Sequence, residues 1–423
     1  MITCKNKMFD SYLKKSFAAM KLFAHGLLLA TIAMTASSCN RHRSHSADKG
    51  VEIAQTDVQD QGGVGLCWAY ATIGLIESNY KMETQTGDAI NLSEEGLAFY
   101  NMSQKLLGIA TIYRKKRSDS NLNPVEFGTL LDGVEFGKLL IRIDGGHVGD
   151  WDHADPTESA NGGLQIATLN GVIPESEWTY KFATNDDYKA FLVEVRQNFK
   201  ELLQSSENIT QEAIEKTLVR TPAQTAAFPS SPPKNFRFNG ANITAADFAK
   251  NVLKINSNEF AKMTVKSAGD APVFTPAATL VSAIKATLAR GISVPLAFVP
   301  YANFLKSGTY SIPGNASPST LPESAGGHAV LITDFVNTGS QEGALSMADL
   351  KSQLAKGFDN LNYIVIKNSW GSTASQFQGY HHIDRSYIEA LDARGYMKII
   401  VPADIAANPF AAPTINPKVT NGQ

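Results

Sequence analysis

The chain has 423 residues, of which 43 % are hydrophobic and 18 % are charged, and its formal net charge is −2. This is the composition of a globular protein, long enough for one large domain or for two to three ordinary ones. The balanced charge, and the lack of a basic run with interleaved aromatic residues, argue against nucleic acid as a partner. The short basic run at 114–117 is interpreted as a solvated loop.

The N-terminus has the pattern of a secretory signal. Met20 and Lys21 precede an apolar stretch over 22–34, and small residues then lead to Cys39. The apolar stretch is too short to span a bilayer as a helix, and its flanks are those of a signal peptide. Met20 alone begins a complete signal, so it is predicted to be the true start. Residues 1–39 are assigned to the signal, and the polar residues 40–56 to a tether.

The signal ends in a pattern that resembles the lipobox of bacterial lipoproteins, in which the cysteine becomes the lipidated first residue. Ala36, Ser37 and Ser38 precede Cys39, although the usual leucine three residues before the cysteine is replaced by Ala36. The resemblance implies a lipid anchor in a bacterial cell envelope. A plain secreted protein is the alternative. The residues after Cys39 lack the acidic run that resembles a surface-export signal, so the periplasmic face is predicted.

The chain has three cysteines, Cys4, Cys39 and Cys67. After signal removal and lipidation, Cys67 would be the sole free thiol, so no structural disulfide is expected. A lone free thiol in a secreted protein is a candidate reactive group. A small buried core residue is the ordinary alternative for a cysteine among apolar neighbours.

Helical periodicity of the apolar residues predicts most of the regular structure in the first half of the chain. The first helix has Cys67 at its start, and Ser93 is placed to cap the second. Residues 118–163 are rich in Gly, Asp and Asn and are predicted to form long loops. The predicted helical regions are 66–80, 93–107, 164–170, 184–218 and 279–290.

The second half combines a hairpin with β-rich segments. Asn239 and Gly240 form a two-residue turn signal, and Thr244 is placed to cap a helix behind it. The tail from Pro402 is rich in proline and alanine and is predicted to be irregular. Apolar runs predict strands of a sheet or barrel at 292–298, 328–335 and 362–367.

A catalytic thiol at Cys67 would need three kinds of partner. A helix start and a neighbouring imidazole lower the pKa of a thiol, and a third polar group orients the imidazole. A tetrahedral oxyanion also needs hydrogen-bond donors. Of the eight histidines, His328 alone opens an apolar strand behind a pair of glycines. Asn368 ends another strand, and Gln61 lies in the glycine-rich approach to Cys67.

Five motifs, taken together and in order, resemble the papain-like cysteine peptidases. DQGGVGLCWAY at 60–70 resembles the segment around their nucleophile, and NLSEE at 91–95 resembles the start of a helix. NGG at 161–163 resembles their substrate-binding glycines, GGHAV at 326–330 their histidine strand, and NSWG at 368–371 their asparagine turn. The resemblance covers residues 57 to about 400.

This resemblance implies an α+β papain-like fold with two lobes: a helical left lobe headed by the Cys67 helix, and a β-barrel right lobe. The cleft between the lobes would bind an extended peptide, and neither a metal nor a cofactor is implied. The implied roles are Cys67 as nucleophile, His328 as base and later acid, Asn368 as the group that orients the imidazole, Trp370 as its shield from water, Gln61 and the backbone N–H of Cys67 as the oxyanion hole, Gly162 and Gly163 as backbone partners of the substrate, and Trp68 as a supporting residue.

Two departures from the family pattern are visible. Val64 and Ala160 stand where many relatives have a bridged cysteine pair, so packing must hold this wall of the site. The spacing from Cys67 to His328 is also longer than in papain-like enzymes, and the excess lies at about 105–155 and 184–280. The peptidase domain is assigned to 57–401 and a tail to 402–423. The 27 residues between Cys39 and Cys67 are too few for a helical propeptide, so none is predicted.

A weaker resemblance connects the second insertion to a subgroup. FRFNGANITAADFAKNVL, from 236 to 253, resembles a segment of bleomycin hydrolase and the bacterial aminopeptidase C group. In that group the C-terminus reaches into the cleft and favours aminopeptidase action. The members are cytosolic oligomers, which disagrees with a lipoprotein signal. Endopeptidase and aminopeptidase action therefore both stay open, as does the oligomeric state.

The sequence predicts a thiol-dependent peptidase that acts on peptide or protein substrates. A catalytically inactive lipoprotein that binds peptides or glycans is the alternative from another class, and acyl transfer to a different acceptor is a third reading. The acidic segment at 144–156 could bind a divalent cation, but it lacks metal-ligand spacing and is interpreted as a solvated loop. His381 and His382 are assigned to surface or barrel positions.

Overall fold

The structure is a computed structural model. It describes residues 53, 55–84, 90–141, 143–146, 148, 162–182, 184–206, 208–219, 228–264, 277–301, 305–312, 326–339, 346–395 and 397–419. All of these belong to one compact unit, Ala47–Gln423. The signal, Cys39, most of the tether, Ala160 and Asn161 lie outside the described residues. So do His147, Asp150, Asp152, His153 and Asp155 of the segment interpreted above as a solvated loop.

The helical lobe is built on two long helices. Helix α1 spans Cys67–Thr84 and α2 spans Glu94–Asp119, with Ser93 as the N-cap that accepts a hydrogen bond from the Gly96 backbone N–H. Both helices are buried over much of their length because they form the centre of this lobe. The basic residues at 114–117, interpreted above as a loop, belong to the last turns of α2. Their position at the C-terminus of the helix suits the helix dipole.

Two further helices correct the prediction of loops over 118–163. Helix α3 spans Pro124–Leu131 and α4 spans Val134–Ile141. Asn123 and Glu126 form a capping box and Pro124 is the first helical residue, which is a strong local start signal. Each helix buries one phenylalanine, Phe127 or Phe136, in the lobe core. The prediction of loops was wrong because it was based on the glycine-rich composition of 118–163 and did not take the helix-capping residues into account.

The remaining helices of this lobe follow the sequence prediction closely. Gly171 has a φ of +85° and ends helix α5. If Gly171 were replaced by a residue with a Cβ, that atom would lie 2.1 Å from the carbonyl carbon of Ala245. The helical region predicted at 184–218 is broken near 206–210, where Thr210 caps a separate helix. The bounds are α5 Gly163–Asn170, α6 Asn185–Ser205 and α7 Gln211–Leu218.

The predicted hairpin consists of strands β1 (Asn235–Phe238) and β2 (Ala241–Thr244). Asn239 and Gly240 both have positive φ, as a tight hairpin turn requires. Thr244 caps the next helix, as predicted, but α8 covers only Ala245–Asp247. It continues as a π-helical turn over Phe248–Val252.

The β lobe is an eight-stranded sheet with the order β3-β10-β4-β7-β8-β9-β6-β5. All neighbours are antiparallel except β6 and β9. The three predicted strands correspond to β4, β7 and β8. The bounds are β3 Phe260–Thr264, β4 Val294–Phe298, β5 Leu305–Lys306, β6 Thr309–Tyr310, β7 His328–Asn337, β8 Leu361–Lys367, β9 Tyr380–Asp384 and β10 Met397–Pro402.

Helices α9 (Ala277–Ala289), α10 (Met347–Ala355) and α11 (Arg385–Arg394) pack with this sheet around a second core. The tail is not wholly irregular, since α12 covers Ala403–Ala407. Its last described part returns to the far end of α1. There Lys418 Nζ donates to the carbonyls of Met82 and Glu83. The tail thereby satisfies carbonyl groups at a helix C-terminus that have no partner within the helix.

Candidate active site

Cys67 begins α1 and is partly exposed, with its side chain facing the first residues of β7. The backbone N–H groups of Ala329 and Trp68, and that of Cys67 itself, hydrogen bond to the thiol and lower its pKa. Burial acts in the opposite direction and is the larger effect, so the pKa of the thiol is raised from its usual value. The sequence predicted a lowered pKa. The structure instead favours a neutral thiol in the resting state.

The contact with Ala329 places the thiol beside the residue that follows His328. His328 opens β7 and is buried. Its Nε2 lies 2.9 Å from Oδ1 of Asn368, which directly follows β8. The backbone N–H of Ser369 donates to the same Oδ1 over 2.8 Å, which identifies that atom as the oxygen. Nε2 must therefore carry the proton, and Nδ1 is left as the proton acceptor of the ring.

The imidazole is held in a dry environment. Trp370 stacks on His328 with ring centroids 4.7 Å apart and an interplanar angle of 17°. Burial lowers the pKa of His328 to about 4, although the hydrogen bond to Asn368 opposes this shift. The predicted shielding role of Trp370 agrees with this geometry. A neutral imidazole is the form that can accept a proton from the thiol.

A second histidine lies behind Trp370. His381 meets the indole edge-on, with centroids 5.7 Å apart and an interplanar angle of 87°. Its side chain is fully buried, so of the two positions predicted for it, surface or barrel, His381 occupies the sheet position, on strand β9. The sequence offered a usable signal: in the strand 380–384, the alternating pattern places His381 on the same face as Ile383. Burial lowers the pKa of His381, and His381 lowers that of His328 further.

Gln61 approaches the same turn from the N-terminal side. Its backbone N–H donates to the Ser369 carbonyl over 2.8 Å, and its Oε1 accepts a hydrogen bond from the Ser369 hydroxyl. The Nε2 group donates to the carbonyl of Val64 over 2.7 Å. An amide nitrogen has two protons, so one donor stays available for an oxyanion. The backbone bridge between Asp60 and Trp370 extends this connection between the lobes.

The two candidate substrate glycines have clear packing roles. The Gly162 N–H donates a hydrogen bond to Oε1 of Gln165 over 3.1 Å, which closes a capping arrangement at α5. A Cβ on Gly163 would lie 2.3 Å from Oγ1 of Thr72, one helical turn beyond Trp68. Only glycine therefore fits against α1 at this position. The binding of a substrate backbone by Gly162 and Gly163 stays a prediction.

Residues from the two predicted insertions pack at the wall for which the sequence predicts no disulfide. The Trp68 indole donates to the carbonyl of Asp144 over 3.2 Å, and the Asp144 carboxylate accepts a hydrogen bond from Tyr188 in α6 over 3.0 Å. Gly146 lies so close to the face of Trp68 that a Cβ would be 2.3 Å from the ring. In the described part of the chain Cys67 is a free cysteine. The predicted replacement of a disulfide by packing agrees with these contacts.

A buried charge network that the sequence analysis did not anticipate lies beneath the site. Thr56 connects its two charged ends, because its hydroxyl donates to Glu77 over 2.6 Å and accepts from Lys367 over 2.9 Å. Glu77 and Lys367 line a small cavity, and Glu94 and Asn368 line it as well. Burial and the nearby Glu77 raise the pKa of Glu94 well above its usual value. The NLSEE motif read as a helix start gave no indication of this burial.

The described ranges contain no group of three or more side chains suited to hold a metal ion. Within the same ranges, no helix is both long enough and apolar enough to cross a membrane.

Comparison with known proteins identifies the family that the chain resembles. Residues 44–98 match the model of the papain family cysteine proteases. A 52-residue segment is 50 % identical to "Probable cysteine protease RD21B" of Arabidopsis thaliana, and it covers 12 % of this chain and 11 % of that relative. The chain thus aligns with only about a tenth of the length of the curated relative. The resemblance recognised from the sequence motifs is confirmed by these matches.

Solved structures extend the likeness to the fold. PepW from Lactobacillus rhamnosis has a TM-score of 0.52 and 14 % identity, with 98 % of this chain and 97 % of that chain covered. Xylellain, a cysteine protease from Xylella fastidiosa, aligns over 84 % of this chain and 86 % of its own at 16 % identity, with a TM-score of 0.38. Because the identity to PepW is only 14 %, this match supports the fold and nothing further. The predicted α+β papain-like fold is confirmed.

Proposed function

We propose that this chain, with its papain-like fold and its match to papain family cysteine proteases, is a thiol-dependent peptidase that cleaves peptide bonds through an acyl-enzyme on Cys67. The hydrogen bond between His328 Nε2 and Asn368 Oδ1 carries the proposal. It leaves Nδ1 of His328 as a proton acceptor. The next residue, Ala329, hydrogen bonds to the Cys67 thiol through its backbone N–H, so His328 is adjacent in sequence to a residue that contacts the nucleophile. Nucleophile, base and orienting amide thus come from α1, β7 and the end of β8.

The acylation step follows from these atoms. As Cys67 Sγ forms a bond to the scissile carbonyl carbon, its proton passes to Nδ1 of His328. The free N–H of Gln61 and the backbone N–H of Cys67 stabilise the oxyanion of the tetrahedral intermediate. Collapse breaks the C–N bond, and the imidazolium returns the proton to the leaving amine. The sulfur remains bound to the acyl group as a thioester.

Deacylation reverses the proton path. Water attacks the thioester carbonyl while Nδ1 of His328 accepts one of its protons. The second tetrahedral intermediate releases the carboxylic acid product, and the proton returns to the sulfur. Trp370 keeps water from the His328–Asn368 hydrogen bond during both steps, since its ring covers the imidazole face.

The test is turnover and labelling of Cys67 variants. Hydrolysis of a mixed peptide library, and stoichiometric labelling by an epoxide inhibitor of thiol peptidases, are both expected for the unaltered protein and absent in Cys67→Ala. His328→Ala should lose turnover while keeping its fold by circular dichroism. Full turnover in Cys67→Ala would overturn the proposal. A folded protein that shows neither hydrolysis nor epoxide labelling would instead support the inactive peptide- or glycan-binding alternative.

The position of the tail favours endopeptidase over aminopeptidase action. Asn416 and Lys418 bind at Ala289 and at the far end of α1, the end opposite to Cys67. The described tail therefore does not close the cleft in the way that the aminopeptidase C resemblance implies. Cleavage of the same peptides with free and with acetylated N-termini tests this point. Equal rates support endopeptidase action, whereas a strict need for a free amine contradicts it.

We further propose that the protein is anchored in a bacterial envelope through a lipid on Cys39, facing the periplasm. The signal pattern before Cys39 supports this part of the proposal. Metabolic labelling with a fatty acid should mark the unaltered protein and leave Cys39→Ala unlabelled. Protease treatment of intact cells should leave the protein whole. Digestion of the protein on intact cells would place it on the cell surface instead.

A further inference from the structure

We infer that Asp144 forms the subsite for the side chain that precedes the scissile bond, and that this subsite takes a basic residue, lysine or arginine. The inference rests on the proposed peptidase function and names a substrate class for it. Asp144 belongs to the end of the first insertion. Its carboxylate Oδ2 would lie 3.6 Å from a Cβ built on Gly65, two residues before the nucleophile. Gly65 is exposed and Asp144 is half-buried.

The contacts of Gly146 and Val148 extend the position of Asp144 along the wall of the cleft. Gly146 packs on the ring of Trp68, the residue after the nucleophile. The carbonyl of Val148 accepts a hydrogen bond from Leu164, directly behind Gly163. Asp144, Gly146 and Val148 therefore contact, in this order, the loop before Cys67, the residue after Cys67 and the residue after Gly163.

A bound peptide would pass both of these features. Its backbone would pair with Gly162 and Gly163, and its scissile carbonyl would lie at Cys67. The side chain of the residue that carries this carbonyl would then pass over Gly65. Because Gly65 has no side chain, a long side chain could cross it and reach the carboxylate of Asp144. Lysine and arginine have the required length and the opposite charge.

The Asp144 carboxylate is fixed in place without a cationic partner. Among the described residues its hydrogen-bond partner is the Tyr188 hydroxyl, a neutral group. The nearby cations are bound elsewhere: Lys105 donates to the carbonyl of Gly145, and Arg196 donates to that of Leu140. The backbone of Asp144 is held by the Trp68 indole. A positioned carboxylate without an ion pair is suited to recognise a cationic ligand group.

The test compares matched fluorogenic peptides that differ at the residue before the scissile bond. Arginine and citrulline have nearly the same shape, but only arginine is charged. For the unaltered protein, kcat/KM should be at least about tenfold higher with arginine than with citrulline, a ratio typical of one good charged contact. Asp144→Asn should remove this preference by lowering kcat/KM for arginine while leaving that for citrulline within twofold.

Two controls distinguish the charge of Asp144 from its structural contacts. Tyr188→Phe removes the hydroxyl but keeps the carboxylate, so the preference for arginine should persist. Asp119→Asn removes one negative charge at an exposed site at the end of α2 and should change neither substrate. Equal cleavage of the arginine and citrulline peptides by the unaltered protein would overturn the inference. Cleavage of neither peptide, with no epoxide labelling, would overturn the peptidase proposal itself.

Discussion

The hydroxyl of Tyr70 donates a hydrogen bond to Oε1 of Glu95 over 3.1 Å, inside the core of the helical lobe. Glu95 is 3 % exposed, and burial raises its pKa to about 7. Its usual value is 4.5. Since the folded state binds the proton more tightly than the unfolded state, this group favours folding below pH 4.5. That contribution is lost as the pH rises through about 7.

Glu95→Gln should therefore stabilise the protein at alkaline pH. Glutamine keeps an acceptor for Tyr70 and cannot ionise, so the variant escapes a cost of roughly 3 kcal/mol at pH 8. The unfolding temperature of Glu95→Gln should exceed that of the unaltered protein at pH 8 and match it at pH 4. Glu135→Gln, which alters an exposed residue of α4 that pairs with Lys138, serves as the control and should change little at either pH. An equal shift at both pH values would contradict the assignment.

His381 should set part of the pH dependence of catalysis. The activity requires a neutral His328, so kcat/KM should decline as the pH falls through about 4. Because the charge of His381 lowers the pKa of His328, His381→Phe should move this acid limb to higher pH. Phenylalanine keeps an aromatic ring against Trp370. A profile of kcat/KM against pH measures the shift.

His382 provides the matched control for that experiment. It is the next residue in β9, faces the opposite side of the sheet and stacks between Tyr363 and Phe377. His382→Phe should leave the acid limb in place.

The same two variants, His381→Phe and His382→Phe, also test how His381 affects the stability of the fold. A buried histidine with a lowered pKa stabilises the fold above pH 6.5 and loses this contribution as the pH falls below that value. His381→Phe should therefore lose less stability than the unaltered protein between pH 6.5 and pH 4.

Gln61→Glu should impair catalysis while preserving the nucleophile. Glutamate can still accept the hydrogen bond from Ser369, but it removes the N–H donor and brings a negative charge towards the oxyanion. Loss of one such donor lowers kcat by about 10²–10³-fold. Epoxide labelling of Cys67 should continue, since the thiol is intact. Gln59→Glu, two residues earlier, is the matched control, and a similar loss of kcat in that variant would contradict the specific role of Gln61.

Gly163→Ala should destabilise the protein because the new methyl group collides with Thr72. Overpacking of this kind costs about 1–3 kcal/mol. Gly108→Ala offers a matched substitution in the middle of α2, where a Cβ meets nothing within 4 Å. It should instead stabilise the protein by about 0.5–1 kcal/mol, because alanine is the better helix former. Thermal unfolding of both variants, measured together, would refute the packing argument if the two shifts had the same sign.

The sequence predicted the elements that carry the site because each has a strong local signal. The helix at Cys67, the cap at Ser93, the turn at Asn239-Gly240 and the strand from His328 all lie where expected. These signals are short in range: a cap, a turn or a period of apolar residues. Helix α4 was not predicted, because the short amphipathic segment that forms it lies in a glycine-rich region that was assigned to loops.

Long-range burial was harder to foresee. Glu77, Glu94 and Lys367 are polar residues that sequence reasoning places at the surface, yet they meet in the interior between the lobes. Their burial depends on segments more than two hundred residues apart in the chain. The raised pKa of Cys67 has the same origin. The helix start suggested a lowered pKa, but burial against β7 has the larger effect.

Backbone hydrogen bonds between residues 59–61 and 369–371 connect the segment before α1 to the turn that follows β8. Gln61 N–H binds the Ser369 carbonyl, and the Gly371 N–H binds that of Gln59 over 3.1 Å. The oxyanion amide of Gln61 and the imidazole partner Asn368 are therefore held in register by main-chain hydrogen bonds that do not depend on any side chain.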